Sequence, residues 1–130
     1  MAALSARLLA LSTVGSAQDA ERLARALVER RLAACVNVVP GVVSHYRWKG
    51  ELQREQERLL VIKTRAERMS ALRAALVELH PYELPELVAF EITAGSEPYL
   101  KWLDEGVRAR APRARARGLS PGPRRPRSRR

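Results

Sequence analysis

The sequence predicts a single α+β domain built on one four-stranded antiparallel sheet, with two helices on one face. Three observations lead there. The apolar pattern alternates between a period of about two and one of about 3.6 residues in the order β-α-β-β-α-β. A Lys49-Gly50 pair separates two long β-rich runs, as a hairpin turn would. The 130 residues are enough for one ordinary domain and one core.

Taken in order, Ser5 to Val14 alternates loosely around Leu9 and Leu11 toward a β-branched end, which reads as the first strand. Gly15 breaks it. Ser16, with Asp19 three residues on, caps a helix whose apolar positions Ala20, Leu23, Ala24, Leu27 and Val28 recur at the helical period as far as Leu32. From Ala34 the chain turns β-rich, Cys35 to Val39, is interrupted at Pro40-Gly41, and resumes from Val42 to Trp48. Pro40 donates no ladder hydrogen bond, so a bulge or an edge position is expected there.

Lys49-Gly50 then turns the chain into a third strand from Glu51 to about Lys63, polar at first and apolar at Leu59-Leu60-Val61-Ile62. A hairpin of that length should project beyond the core. Thr64 and Glu67 have capping-box spacing for a second helix with Met69, Leu72, Leu76 and Leu79 as its buried stripe, and His80-Pro81 ends it. Glu86 to Thr93, with Val88, Phe90 and Ile92 on one face, reads as the fourth strand. Ser96 and Pro98 open a short last helix carrying Leu100, Leu103 and Val107. This order is that of the ferredoxin-like split βαβ fold, with a short C-terminal helix added.

The net charge of +10 belongs to one segment. Residues 1–107 hold 14 Lys+Arg against 14 Asp+Glu, whereas 108–130 hold ten Arg and no acid. The organisation expected is therefore a neutral folded domain over 1–107 and a disordered Arg/Pro-rich tail over 108–130, which lacks the apolar residues to offset its ordering entropy. Arg7 followed by Leu8 to Ala17 could pass for a short export signal. Its apolar run is only about seven residues, at the bottom of the usual ~7–15, and it leads straight into a capped helix, so no export signal is expected. With Cys35 as the single cysteine, the expected location is the reducing cytoplasm. No stretch reaches the ~18 apolar residues of a membrane span, so no membrane role is expected.

Several blocks resemble the CutA divalent-cation tolerance family: Ala26 to Asn37, Tyr46-Arg47-Trp48-Lys49-Gly50, Ile62-Lys63-Thr64, His80-Pro81-Tyr82-Glu83-Leu84-Pro85-Glu86, and Tyr99-Leu100-Lys101-Trp102-Leu103. In order and spacing they cover roughly residues 8–105. The resemblance implies a ferredoxin-like protomer, a tight homotrimer, a cytoplasmic location, a link to copper and other divalent cations, and a likeness to PII-type signalling trimers. Three features depart from the pattern: many members have a proline-acid entry to the first helix, where this chain has Gly15-Ser16. Some members carry a cysteine near the end of the first strand as a proposed copper ligand, and Ser12 stands there; the basic tail matches nothing in the family.

Cys35 is the soft ligand of the chain, and a thiolate favours copper(I), although a free cysteine on a strand more often behaves as a small hydrophobe. His80 is expected at the surface or at a subunit junction, as a metal-binding imidazole or as a partner of the helix C-terminus. His45 reads as a strand-surface residue. One Cys and two His so far apart are not a zinc-finger pattern. A metal site, copper or another divalent cation, would have to converge at a trimer interface.

Tyr46, Trp48 and Tyr82 with Lys63 form a second group, lining an intersubunit pocket for a small anion or simply packing an interface. Glu83 and Glu86 offer carboxylate oxygens to metal or stand as solvated charges. No catalytic triad order, phosphate loop or cofactor fingerprint appears, so no enzymatic activity is expected. Three functions follow: a homotrimeric metal-binding or metal-response protein, a PII-like module sensing a small metabolite or nucleotide, and RNA binding. The last needs an RNP1-like aromatic pattern that Leu59 to Thr64 lacks. The tail adds an expected weak, non-specific affinity for polyanions.

Overall fold

The computed structural model of the chain describes residues 6–108. The expected disordered tail at 108–130 therefore lies, apart from Arg108, outside the described residues, as does Ser5 at the expected start of the first strand. β1 (Arg7–Val14) buries every second residue: Leu8, Ala10, Ser12 and Val14 point under the helices, and Leu9, Leu11 and Thr13 point to the other face. β2 (Cys35–Trp48) and β3 (Glu51–Arg65) form the long hairpin, and β4 (Val88–Glu91) is brief. The strands lie in the order β2-β3-β1-β4 with every neighbouring pair antiparallel, which is the ferredoxin-like arrangement.

Local chemistry accounts for the turns. Lys49 (φ 51°) and Gly50 (φ 82°) both take positive φ, the mirror-image two-residue turn whose twist suits flanking strands. At Pro40-Gly41 the pairing passes from Val39↔Leu59 to Val42↔Glu57, so β2 advances three residues while β3 advances two. β2 is an edge strand, where the missing N–H of Pro40 costs no inner ladder bond.

α1 (Ala17–Glu29) starts at Ser16, whose Oγ accepts from the Asp19 N–H at 3.0 Å, and buries Ala20, Leu23 and Leu27. α2 (Met69–Leu79) buries Leu72, Ala75 and Leu76 on the same side of the sheet. Its beginning differs from the capping box expected at Thr64. The β1–β3 ladder runs on through Leu8↔Thr64 and Arg7↔Arg65, so Thr64 is a fully buried strand residue whose Oγ1 donates to the Leu32 carbonyl at 2.7 Å. A 3₁₀ turn, Ala66–Arg68, then leads into α2 without a side-chain cap. β4 is shorter than the expected Glu86 to Thr93: it pairs with Leu8 to Leu11 of β1, and just past it the Ile92 N–H still donates to the Arg7 carbonyl at 2.8 Å.

α3 (Glu97–Gly106) lies at one end of the opposite face, since Arg7 and Arg65 share the parity of Leu9 and Lys63 and both reach Asp104. Arg7 donates Nε to Asp104 Oδ1 at 3.0 Å and Nη2 to Oδ2 at 2.8 Å, and Arg65 Nη1 donates to Oδ1 at 2.6 Å. This fork of guanidinium donors holds the Asp104 carboxyl down at about 2. Leu103 and Val107 complete a small second core with Ala34 and Ile92. The rest of that face, with Leu9, Leu11, Val61, Val88 and Phe90, carries no helix.

Candidate functional site

The bulge at Pro40-Gly41 decides what the hairpin presents. Before it, odd-numbered residues of β2 stand on the helix-free face, because Cys35 opposes Lys63 while Val36 packs into the core. The extra residue reverses parity, so Ser44, Tyr46 and Trp48 join that face beside Glu55 and Glu57 of β3. There they border a cavity of about 780 Å³ closed on another side by Tyr82, Glu83 and Glu86, from the segment between α2 and β4.

That segment is held by a chain of hydrogen bonds starting at His80. Pro81 forces the preceding residue into an extended conformation (φ −78°, ψ 139°), which turns the chain across the end of β1. His80 Nε2–H donates to the Thr13 carbonyl at 2.8 Å, and Nδ1 accepts from the Tyr82 N–H at 3.0 Å. A carbonyl only accepts and a backbone N–H only donates, so these partners define a neutral imidazole protonated at Nε2. Burial, partly opposed by the bond to Thr13, pushes its pKa down and favours the same form.

Tyr82 stacks at a tilt on the imidazole, with ring centroids 4.6 Å apart, and its Oη donates to Glu57 Oε2 at 2.5 Å. Gly15 leaves room for that hydroxyl, since a Cβ there would lie 3.1 Å from it. Burial and the adjacent Glu57 both raise the Tyr82 phenol, which stays a neutral donor. Tyr46 is raised too, by desolvation and then by Glu55 and Glu57. Thr13 Oγ1 donates to Glu86 Oε1 at 3.3 Å across the floor.

The fold thus brings together Tyr46, Trp48, Tyr82, Glu83 and Glu86. Lys63 lies elsewhere: its Nζ donates to Asn37 Oδ1 at 2.7 Å, and Cys35 Sγ donates to the same oxygen at 3.7 Å. Glu55 and Glu57 escape a reading of motifs. Their signal is the alternation of Glu55, Glu57 and Leu59 along β3, which becomes informative only once the bulge places Tyr46 and Trp48 on the same side.

Of the two places expected for His80, the surface or a subunit junction, the first does not hold within the single chain. The residue is 7% exposed, because the imidazole is spent on holding the Pro81 turn to β1. Cys35 and His80 are also far apart within the protomer. Cys35 lies opposite Lys63 and the carbonyl that holds His80 lies opposite Leu59, four residues along β3, or about 13 Å at ~3.3 Å per residue. Ser12 is fully buried on the helix side, away from Cys35, and its Oγ has no hydrogen-bond partner among the described residues. No group of three or more His, Cys, Asp or Glu is placed to hold a metal ion among the described residues. The described donors of the single chain therefore do not converge on a copper or other divalent-cation site.

Residues 8–106 match the family described as CutA1 divalent ion tolerance protein. The divalent-cation tolerance protein CutA of Thermus thermophilus is 50% identical over 97 residues, covering 75% of this chain and 94% of the relative. A CutA homolog of Xenopus laevis is 50% identical over 88 residues, covering 68% of this chain, which spans only 58% of that relative's length. Among solved structures, CutA of Archaeoglobus fulgidus, described as a periplasmic divalent cation tolerance protein, superposes with a TM-score of 0.76 at 34% identity, covering 78% of this chain and 99% of that one. Extent, identity and fold agree along nearly the whole described domain, and the chain belongs to the CutA1 divalent ion tolerance family.

Proposed function

We propose that this chain acts in divalent-cation tolerance as a cytoplasmic, non-enzymatic homotrimer that binds copper at sites completed between subunits. The observation that carries the reading is the face of the sheet opposite α1 and α2, of which α3 covers only one end. It is largely apolar, it lies between two open edges, β2 and β4, and it bears Cys35. Faces and edges of this kind are normally covered, and covering them with further copies would bring the thiols and carboxylates of neighbouring chains together. Cys35 is the soft donor, favouring copper over magnesium or calcium. His80 would join it only after giving up the bond from the Tyr82 N–H to Nδ1.

The test is a copper(I) titration against a competing chelator with wild-type protein, Cys35→Ser and His80→Ala, mass being checked on each. Copper is expected to bind far more tightly than magnesium, with affinity falling about tenfold or more in Cys35→Ser. Unchanged copper affinity in both variants, with assembly intact, would remove both residues from the site.

A second reading is favoured by the cavity at the hairpin: a PII-like regulatory trimer that senses a small metabolite at subunit clefts. Its volume, about 780 Å³, falls in the range of small-molecule pockets. The tail is a separate element of function. Ten arginines without a single acid over 108–130 support weak, salt-sensitive binding of polyanions through counterion release. Among the described residues no helix is long and apolar enough to cross a membrane.

A further inference from the structure

The geometry points to a small organic cation, an amine or quaternary ammonium with a flat apolar body, as the ligand of the hairpin cavity. This rests on the second reading, that the cavity is a small-molecule site, and assigns the chemical class of its ligand. Charge is the first argument. Glu55, Glu57, Glu83 and Glu86 line the cavity against a single guanidinium, Arg47, whose Nη1 is directed to the Gly50 carbonyl at 3.5 Å in the turn. An anion entering here would meet a field of its own sign.

Glu57 makes the case specific. It is 5% exposed, its Oε2 accepts from Tyr82, and its Oε1 has no hydrogen-bond partner among the described residues. Tyr82 occupies Oε2 alone, so Oε1 stays free for a further contact, which a cation in the cavity would supply.

A metal ion is the poorer occupant. Hard divalent cations need six or so oxygens converging at about 2.0–2.6 Å, whereas these carboxylates are spread around a wide cavity and no three potential ligands converge among the described residues. Dispersed charges suit an extended cation. The aromatic lining supplies the remaining recognition, since Tyr46, Trp48 and Tyr82 border the cavity and aromatic rings attract an ammonium and the apolar body attached to it. One ring already accepts such a partner: Lys49 Nζ stands over Trp48, 5.5 Å from the ring centroid.

The experiment titrates the full-length assembly with phenethylamine, its neutral isostere 2-phenylethanol and the anion 3-phenylpropionate, by calorimetry and by the indole resonance of Trp48. Phenethylamine is expected to bind, the other two about tenfold or more weaker. Glu57→Gln keeps an acceptor for Tyr82 and should weaken the amine by a similar factor; Glu86→Gln, at the exposed rim, serves as the second variant. Amine affinity unchanged in both overturns the assignment. Equal or tighter binding of 3-phenylpropionate overturns the cationic class and leaves the small-molecule reading standing, while no binding by any of the three sinks both. Manganese(II) broadening the same resonances at lower concentration than the amine would make the cavity a metal site and also overturn the assignment.

Discussion

His80 illustrates how one side chain can be structural where its chemistry suggests a ligand. Both ring nitrogens are used, one toward β1 and one toward the Tyr82 backbone, and the ring braces the phenol that reaches Glu57. Its folded pKa lies below the ordinary value, so the folded state favours the neutral form. That contribution is complete above the unfolded pKa of about 6.5 and is lost as pH falls through the folded value, where the unfolded chain binds the proton more readily. Wild-type protein is therefore expected to lose thermal stability between pH 8 and pH 5. His80→Gln should be less stable at pH 8 by about 1–3 kcal/mol but flatter over this window. Denaturation profiles at the two pH values read both, and parallel curves for the two proteins would refute the linkage.

At the scale of elements, two insertions of geometry shape the molecule. The bulge in β2 reverses the parity of the hairpin and so places Tyr46 and Trp48 with the carboxylates. The docking of α3 depends on a close approach: a Cβ on Gly106 would lie 2.9 Å from Ala34 Cβ and 3.2 Å from its Cα. Helix propensity alone would favour alanine there by up to about 1 kcal/mol, but the obstacle is backbone and cannot rotate away. Gly106→Ala is thus expected to destabilise by about 1–3 kcal/mol, measured by urea unfolding. A stabilised variant would mean that α3 shifts freely, against the fork that Arg7 and Arg65 make on Asp104.

For the whole molecule the outstanding feature is a sheet covered on one face and largely bare on the other. Phe90 is 56% exposed and Val88 47%, beside Leu9, Leu11 and Val61. Burial of such side chains contributes roughly 1.5–3 kcal/mol each, enough for several to hold an assembly together. Sedimentation equilibrium at micromolar concentration is expected to give three times the 14.6 kDa chain mass. Phe90→Glu should shift the distribution toward the monomer, whereas a wild-type monomer would refute the assembly. Removing residues 109–130 should leave the mass at three chains and abolish salt-dependent DNA binding, because the excess positive charge lies there.

Periodicity made the order of strands and helices legible without coordinates, since alternation and the 3.6-residue stripe are local properties that a window of residues reports by itself. Ser16 as a cap, Lys49-Gly50 as a turn and Pro40-Gly41 as a bulge were readable for the same reason. The motif blocks identified the family, and they contain Tyr46, Trp48, Tyr82, Glu83 and Glu86, which the fold places around one cavity. Thr64 misleads a local reading because its capping spacing competes with a ladder partner, Leu8, that lies 56 positions away in the chain. Lys63, Glu55 and Glu57 were assignable only in three dimensions: cross-strand register, and one extra residue in it, determines which face each side chain occupies. The burial of His80 is likewise a tertiary result, because its hydrogen-bond partner is a carbonyl at the end of β1, and no pattern near residue 80 encodes that distance.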